Sequence, residues 1–322
     1  MESVANSSIL AITGGVGGAK LSLGFAGELA ESQLHLMVNT ADDFKHMGLH
    51  ISPDVDTLLY TLSGRSNRSQ GWGLESESWN TMGALERLGG ETWFRLGDMD
   101  IATHLWRTQA LASGMGLQAS VKSLAQRMGI GCHIYPMSDD PVRTIVCTQE
   151  GELAFQHYFV RRQCQPSVTG FRFDGIDSAQ PNPTIMQKLA DDAFAAIVIC
   201  PSNPFVSVDP ILQLPGMWQA LRQTSAPVIA VSPIVAGMAI KGPAAKMMAE
   251  LNMPVSALAL ARYYSERYPD LVSGFVIDGS DASLAADIQN TGMDLAITNT
   301  VMHSTEDKQK LARYVLAMAG LA

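Results

Sequence analysis

The sequence predicts a three-layer α/β fold built on a mostly parallel sheet, and three observations carry that reading. Short apolar runs at residues 9–13, 195–200 and 228–232 lack the polar alternation of a half-exposed strand, as expected of strands covered on both faces. Stretches of helical period lie between such runs, which is the rhythm of a parallel sheet with crossover helices. The first run ends in glycines and leads directly into a helical stretch, as Rossmann-like folds do.

The elements follow in order. Residues 9–13 form the first strand, and Leu21, Phe25 and Leu29 then recur at helical spacing. Residues 34–40 are the second strand. Residues 44–131, rich in glycine and tryptophan, read as a mainly helical insertion that covers the active face of the sheet. Residues 142–160 alternate on either side of Glu150-Gly151, which predicts a β-hairpin. Later strands are expected at 195–200, 228–232, Gly274–Asp278 and 295–299, with helices near 184–192, 210–223, 243–251, 256–268 and 306–319. The turn Gln180-Pro181-Asn182-Pro183 marks a boundary between halves, but no internal repeat or low-complexity tract is present. The chain reads as a single domain over residues 1–322.

Bulk properties narrow the class. The 322 residues, 47% hydrophobic and 16% charged, suffice for a large core. A formal net charge of −9 argues against a nucleic-acid surface, which needs clustered Lys and Arg. It leaves room for a nucleotide ligand, for which a few local donors and a helix N-terminus suffice. The start of the chain has no basic segment before its short apolar run, so that run is a buried strand rather than a signal peptide. No apolar run reaches the ~18 residues of a membrane span. Cys132, Cys147, Cys164 and Cys200 are scattered, with no Cys-x-x-Cys pair, which reads as reduced core thiols and a cytoplasmic location.

The glycine tract is Gly14-Gly15-Val16-Gly17-Gly18-Ala19-Lys20. Glycines let a backbone approach a ligand closely, and the amides of a helix N-terminus favour an anion. Lys20 adds a point charge suited to phosphate. The tract is not a Walker A loop, because Leu21 follows the lysine where Ser or Thr is required. Nor is it Gly-x-Gly-x-x-Gly: counted from Gly15, the last position is Lys20. The alternative is a tight strand–helix turn with no ligand.

Asn39-Thr40-Ala41-Asp42-Asp43 closes the second strand. Ligands of open α/β sheets bind outside the carboxyl ends of strands, and adjacent carboxylates there suit Mg²⁺. Either acid equally suits the cap of a turn or helix. In Ser52-Pro53-Asp54-Val55-Asp56-Thr57, Ser52 suits an N-cap and Pro53 the first helical position. Asp54 and Asp56 diverge around that helix and do not share one site; one is a first-turn acid favoured by the dipole, the other is left for a ligand or metal. Arg95-Leu96-Gly97-Asp98-Met99-Asp100 offers a guanidinium that pairs with anions and stacks on rings, unless the tract is an exposed ion-pair cluster. Ser202 and Asn203, after the strand at 195–200, can bond a base or ribose. Lys241 and Lys246 flank a helix start at Pro243 and make a second candidate anion site. Four strand ends with such residues point to one shared crevice.

Other chemistries are absent from the pattern. The seven histidines show no zinc spacing, and no Gly-x-Ser-x-Gly elbow occurs. Met247 and Met248 read as core filling, and Trp72, Trp79, Trp93 and Trp106 as packing within the insertion or a ring pocket.

Taken together these tracts resemble the 2-phospho-L-lactate transferase (CofD-like) family of coenzyme F420 biosynthesis. The matching stretches are 14–20, 38–43, 52–61, 95–100, 201–204, 232–246, Gly274–Asp278 and 299–311, in order along nearly the whole chain. The resemblance implies transfer of a phospho-hydroxyacid group (2-phospholactyl, enolpyruvyl-phosphate or phosphoglyceryl) from a guanosine-diphosphate-linked donor. The acceptor would be the ribityl hydroxyl of 7,8-didemethyl-8-hydroxy-5-deazariboflavin, with GMP released. It implies that Asp56 and Arg95 contact the deazaflavin, and that Gly14, Gly15, Gly17, Gly18, Lys20, Asn203 and Lys241 serve the nucleotide. It also implies Mg²⁺, with Asp42, Asp43 and Asp56 as metal candidates, Asp43 and Asp56 as catalytic candidates, and a homodimer. The glycine tract departs from the family's archaeal Gly-Gly-Thr-Gly-Thr-Pro-Lys form at Val16, Gly18 and Ala19.

Two rival readings share part of this pattern. A non-catalytic regulator of the gluconeogenesis-factor type is similar at the glycine tract and binds nucleotide sugars, but would lack the tracts at 52–57 and 95–100. A nicotinamide oxidoreductase is disfavoured by the missing third glycine.

Overall fold

Seven parallel strands form the central sheet of this computed structural model, which describes residues 7–67 and 71–321. The first six residues, part of the start read above as leaderless, and three residues inside the insertion lie outside the described residues.

Strand β1 (Ser8–Thr13) runs into helix α1 (Gly15–Glu28), and β2 (Leu34–Val38) returns beside β1. The insertion opens on a small antiparallel pair, β3 (Phe44–His46) and β4 (Leu49–Ile51). Four helices follow: α2 (Pro53–Leu62), α3 (Asn80–Arg87), α4 (Asp98–Ala112) and α5 (Leu117–Arg127). Met47 and Gly48 both hold positive φ at the tip of the small hairpin, a conformation that suits a two-residue turn. Strand β5 (His133–Pro136) then rejoins the main sheet as its edge, against β2.

The expected hairpin is present as β6 (Arg143–Thr148) and β7 (Gly151–Ala154), joined at the foreseen Glu150-Gly151 turn. Its second arm ends earlier than expected. A single π-helical turn covers His157–Arg161, and β8 (Val168–Asp174) adds a third strand on the far side of β6. The chain continues through α6 (Pro183–Ala190), β9 (Phe194–Ile199), α7 (Asp209–Leu212) and α8 (Met217–Gln223). The helix expected at 210–223 is thus two, because Gly216 breaks it at φ 79°. Strand β10 (Val228–Val231), the short pair β11 (Ile234–Val235) and β12 (Met238–Ala239), then helices α9 (Ala244–Glu250) and α10 (Ala257–Arg267) follow. Strand β13 (Gly274–Asp278), α11 (Ala285–Gln289), β14 (Asp294–Thr298) and α12 (Thr305–Met318) complete the chain.

The sheet order is β14-β13-β10-β9-β1-β2-β5. Its strands alternate between two apolar layers. Leu10, Ile12, Ile197, Ile199 and Ala230 lie in one, and Ile9, Ala11, Val198, Ile229 and Val231 in the other. Burial on both faces is why these strands read as continuous apolar runs. The order reverses direction between β1 and β9, so the chain leaves their carboxyl ends to opposite sides and opens a crevice there. No helix among the described residues is long and apolar enough to cross a membrane.

Candidate functional site

The glycine tract sits at that crevice, but the protein itself claims its first amides. Gly14 N–H donates to Ser202 Oγ (3.1 Å), and Gly15 N–H donates to Asp54 Oδ1 (2.7 Å). Gly15 has φ 65°, a left-handed conformation that favours glycine. A Cβ on Gly17 would collide with the Pro201 carbonyl oxygen, one on Gly18 with Thr13 Oγ1, and one on Gly14 would lie 2.6 Å from Asp54 Oδ2. These glycines allow α1 to press against the turn after β9 and the start of α2. Asp54 thereby places a carboxylate at the positive end of α1.

Asn39, at the end of β2, ties the strand ends together. Its Nδ2 lies 3.2 Å from Asp42 Oδ1, 3.0 Å from Asp54 Oδ2 and 3.2 Å from the Val206 carbonyl oxygen, while its Oδ1 accepts from Ala41 N–H. Asp43 Oδ2 accepts from Ser52 Oγ (2.7 Å) and lies 3.0 Å from His50 Nε2. Ser52 precedes the helix as expected, yet its hydroxyl serves Asp43 and makes no cap bond. Gln156 Nε2, from the segment after β7, stands 3.4 Å from Asp42 Oδ2. Three acids, Asp42, Asp43 and Asp54, thus share one buried patch.

The electrostatics follow from that crowding. Burial, then the charges of Asp54 and Asp43, raise the Asp42 pKa well above the usual carboxylate value. Burial pushes Asp54 up to about 6, against hydrogen bonds from Asn39 and Gly15 that favour its charged form. Asp43 Oδ1 is buried without a hydrogen-bond partner.

Asp56 faces elsewhere, as its two-residue offset from Asp54 requires. Both its oxygens are held by Arg107, with Nη1 3.0 Å from Oδ2 and Nη2 on Oδ1. Arg107 is fully buried. His104 Nδ1 lies 3.6 Å from Asp56 Oδ2, His104 Nε2 3.2 Å from Asp100 Oδ1, and Tyr60 OH donates to Asp100 Oδ1. Arg107 was not singled out from the sequence. The signal was there: Asp100, His104 and Arg107 follow one another at four and three residues along α4, which is one helix face.

Lys20 Nζ donates to the Met302 carbonyl oxygen at 2.9 Å. Burial, then the charges of Lys241 and Lys308, lower its pKa. Lys241 lies against Gly71, where a Cβ would collide with its Nζ. Asn203 is spent on the turn after β9: its Oδ1 accepts from Phe205 N–H (3.0 Å), and its Nδ2 lies 3.3 Å from Met247 Sδ. Arg95 is exposed and stacks on Trp79, 4.5 Å from the ring centre. The acids after it are structural: Asp98 accepts from Ser78, Asn80 and Thr81 around the start of α3.

The structure therefore brings Gly14, Gly15, Asp42 and Asp43 together with Asp54, and sets Lys20 within electrostatic reach of Lys241. Asp56 is paired with Arg107, on which the charge of Asp43 also acts. Among the described residues no three His, Cys, Asp or Glu side chains are arranged to hold a metal ion.

Comparison with known proteins bears on this site. The family model for 2-phospho-L-lactate transferase CofD matches residues 9–315. The chain is 36% identical over 310 residues to a "2-phospho-L-lactate transferase" of Methanococcoides burtonii, covering 96% of this chain and 99% of that one. It is 35% identical over 317 residues to a "phosphoenolpyruvate transferase" of Kitasatospora aureofaciens, covering 97% of each. A solved UPF0052-family structure from Bacillus halodurans superposes with a TM-score of 0.67, covering 97% of this chain and 99% of that one; at 14% identity the likeness concerns the fold alone.

Proposed function

Because the chain belongs to the 2-phospho-L-lactate transferase CofD family, we propose that it carries a three-carbon phospho-acid from a guanosine-diphosphate-linked donor to the terminal ribityl hydroxyl of 7,8-didemethyl-8-hydroxy-5-deazariboflavin, in coenzyme F420 biosynthesis. It is a transferase, as its relatives are named. Phospholactyl, enolpyruvyl-phosphate and phosphoglyceryl donors all fit the proposal. The observation that carries it is the crevice between β1 and β9, where Asn39, Asp54 and Ser202 lock three strand ends around a buried acid patch.

In this reading the ribityl oxygen bonds to the phosphorus that bears the three-carbon acid. The bond from that phosphorus to the oxygen bridging to GMP breaks, and GMP leaves with the electron pair. Such a transfer asks for positioning and charge neutralisation more than for a strong nucleophile. Lys20 and Lys241 neutralise the diphosphate. Asp43, with Oδ1 free of a hydrogen bond, receives the hydroxyl proton.

Mg²⁺ fits the patch. Asp42, Asp43 and Asp54 are buried together, and burial with the neighbouring acid charges raises the pKa of Asp42 and Asp54, a charge excess that a divalent cation offsets. Mg²⁺ commonly takes one or two carboxylates together with substrate phosphates, so a three-acid cage is not needed. Asp42 would hold it together with the substrate phosphates, leaving Asp43 Oδ1 for the proton, with Asp54 beside them in the place expected for Asp56. Bound there, the ion would spread the charge of the diphosphate and ease the departure of GMP. A cytoplasmic homodimer belongs to the same proposal.

The test is direct. Purified protein is incubated with the deazaflavin, Mg²⁺ and each guanylylated donor, and the product is weighed by mass spectrometry. A phosphodiester of the deazaflavin with one donor is the expected result. No product with any donor, together with tight binding of a nucleotide sugar, would favour the regulatory reading instead.

A further inference from the structure

We infer that Trp72 is the stacking plate for the flat tricyclic ring of the acceptor, an inference that rests on the transferase reading above. Trp72 is 45% exposed, yet its position is strongly determined. It stands between Gly71 and Gly73, both left-handed at φ 77° and 71°, so the chain turns on each side of it. Gly71 N–H donates to the Asn67 carbonyl (2.9 Å), Asn67 N–H donates to the Gly73 carbonyl (3.0 Å), and Ser66 bridges to Leu74. Leu74, the second residue after Trp72, is buried in the apolar layer beneath α1 and α2 and anchors the loop. The indole itself rests on Trp79, with ring centres 6.2 Å apart at 72°, and Trp79 is covered in turn by the Arg95 guanidinium.

A lone exposed aromatic needs no explanation. This one is backed by a second indole and a guanidinium, and its neighbour Gly71 abuts Lys241 Nζ. Lys241 is the strand-end lysine whose charge reaches Lys20 on α1. A flat apolar plate thus adjoins the cationic side of the crevice. The matching ligand has a planar ring joined to a chain that meets a phosphoryl group, which is the acceptor at the moment of transfer. An indole held in this way loses little freedom on stacking, so its contribution goes into affinity.

The experiment compares wild type with Trp72→Ala and Trp72→Phe. Dissociation constants for the deazaflavin come from its own fluorescence, and KM for acceptor and donor from product formation. Aromatic stacking on a planar base contributes enough that loss of the plate should weaken deazaflavin binding about tenfold. Trp72→Phe should restore most of the affinity, with donor KM and melting temperature unchanged in both variants. Unchanged deazaflavin affinity in Trp72→Ala would overturn the inference. So would a rise in donor KM alone, which would assign the plate to guanine. A wild type that binds deazaflavin but forms no product would sink the transferase reading while leaving Trp72 testable by affinity. A wild type that does not bind it would remove both.

Discussion

Replacing Arg107 by Met tests the buried ion pair that holds α2 against α4. Arg107 is 0% exposed and Asp56 5%, and both carboxylate oxygens of Asp56 bond this one guanidinium. The substitution leaves the carboxylate in the interior with His104 Nδ1, 3.6 Å away, as its remaining neighbour of opposite charge when protonated. Breaking a buried pair from one side costs about 3–5 kcal/mol. Methionine fills much of the vacated length, which keeps the cavity contribution small. For a chain of this size the loss corresponds to roughly 5 °C in melting temperature. Urea denaturation read by circular dichroism measures it. The companion is the double variant Asp56→Leu with Arg107→Met, which removes both charges and should recover at least ~2 kcal/mol relative to the sum of the single changes. A loss below ~1 kcal/mol in Arg107→Met, or strictly additive effects, would refute the reasoning. The double variant also separates two roles of Asp56. Recovered stability without product formation would mean that Asp56 acts on the substrate as well as on α4.

Two further outcomes are expected. Gly17→Ala should destabilise the protein by more than ~1 kcal/mol, because its Cβ meets the Pro201 carbonyl and backbone must shift; an unchanged urea midpoint would contradict that packing. Under the proposed Mg²⁺ site, the acid patch gives metal binding a pH dependence. Asp54 is raised from 3.8 to about 6 in the folded state, so its favourable contribution is full below pH 3.8 and is lost as pH rises through about 6, a ceiling of about 3 kcal/mol. Asp42 is raised for the same reason and acts in the same direction. Mg²⁺ should therefore raise the melting temperature more near pH 7.5 than near pH 5; equal shifts at both would mean that the ion binds elsewhere.

Legibility differed between the sheet and the site. The central strands β1, β2, β9, β10 and β13 were readable because burial on both faces demands apolar side chains without interruption, and the half-exposed edge strand β14 from its short apolar run. Strand β5 was not, since His133 and Pro136 make up half of its four residues and it lies at an edge. Strand β8 was hidden because Gly170 and Arg172 break its alternation, and its partner β6 had been paired in the reading with a longer second arm. At the site, the glycine tract and the acids at the end of β2 were located from residue type and position alone. Their partners were not. Asn203 accepts a turn bond from Phe205, and the bond from Gly15 to Asp54 joins residues whose contact no local pattern shows.

The chain by itself determined the layered α/β architecture and the place of the crevice at the strand ends. Those are properties of local pattern: hydrophobic period, glycine, and charge next to a helix start. Which carboxylate turns toward the glycine tract and which is bound by Arg107 was decided only in three dimensions. Side chains two residues apart on a helix diverge, and the direction each takes depends on what packs against that helix: α1 on one side, α4 on the other.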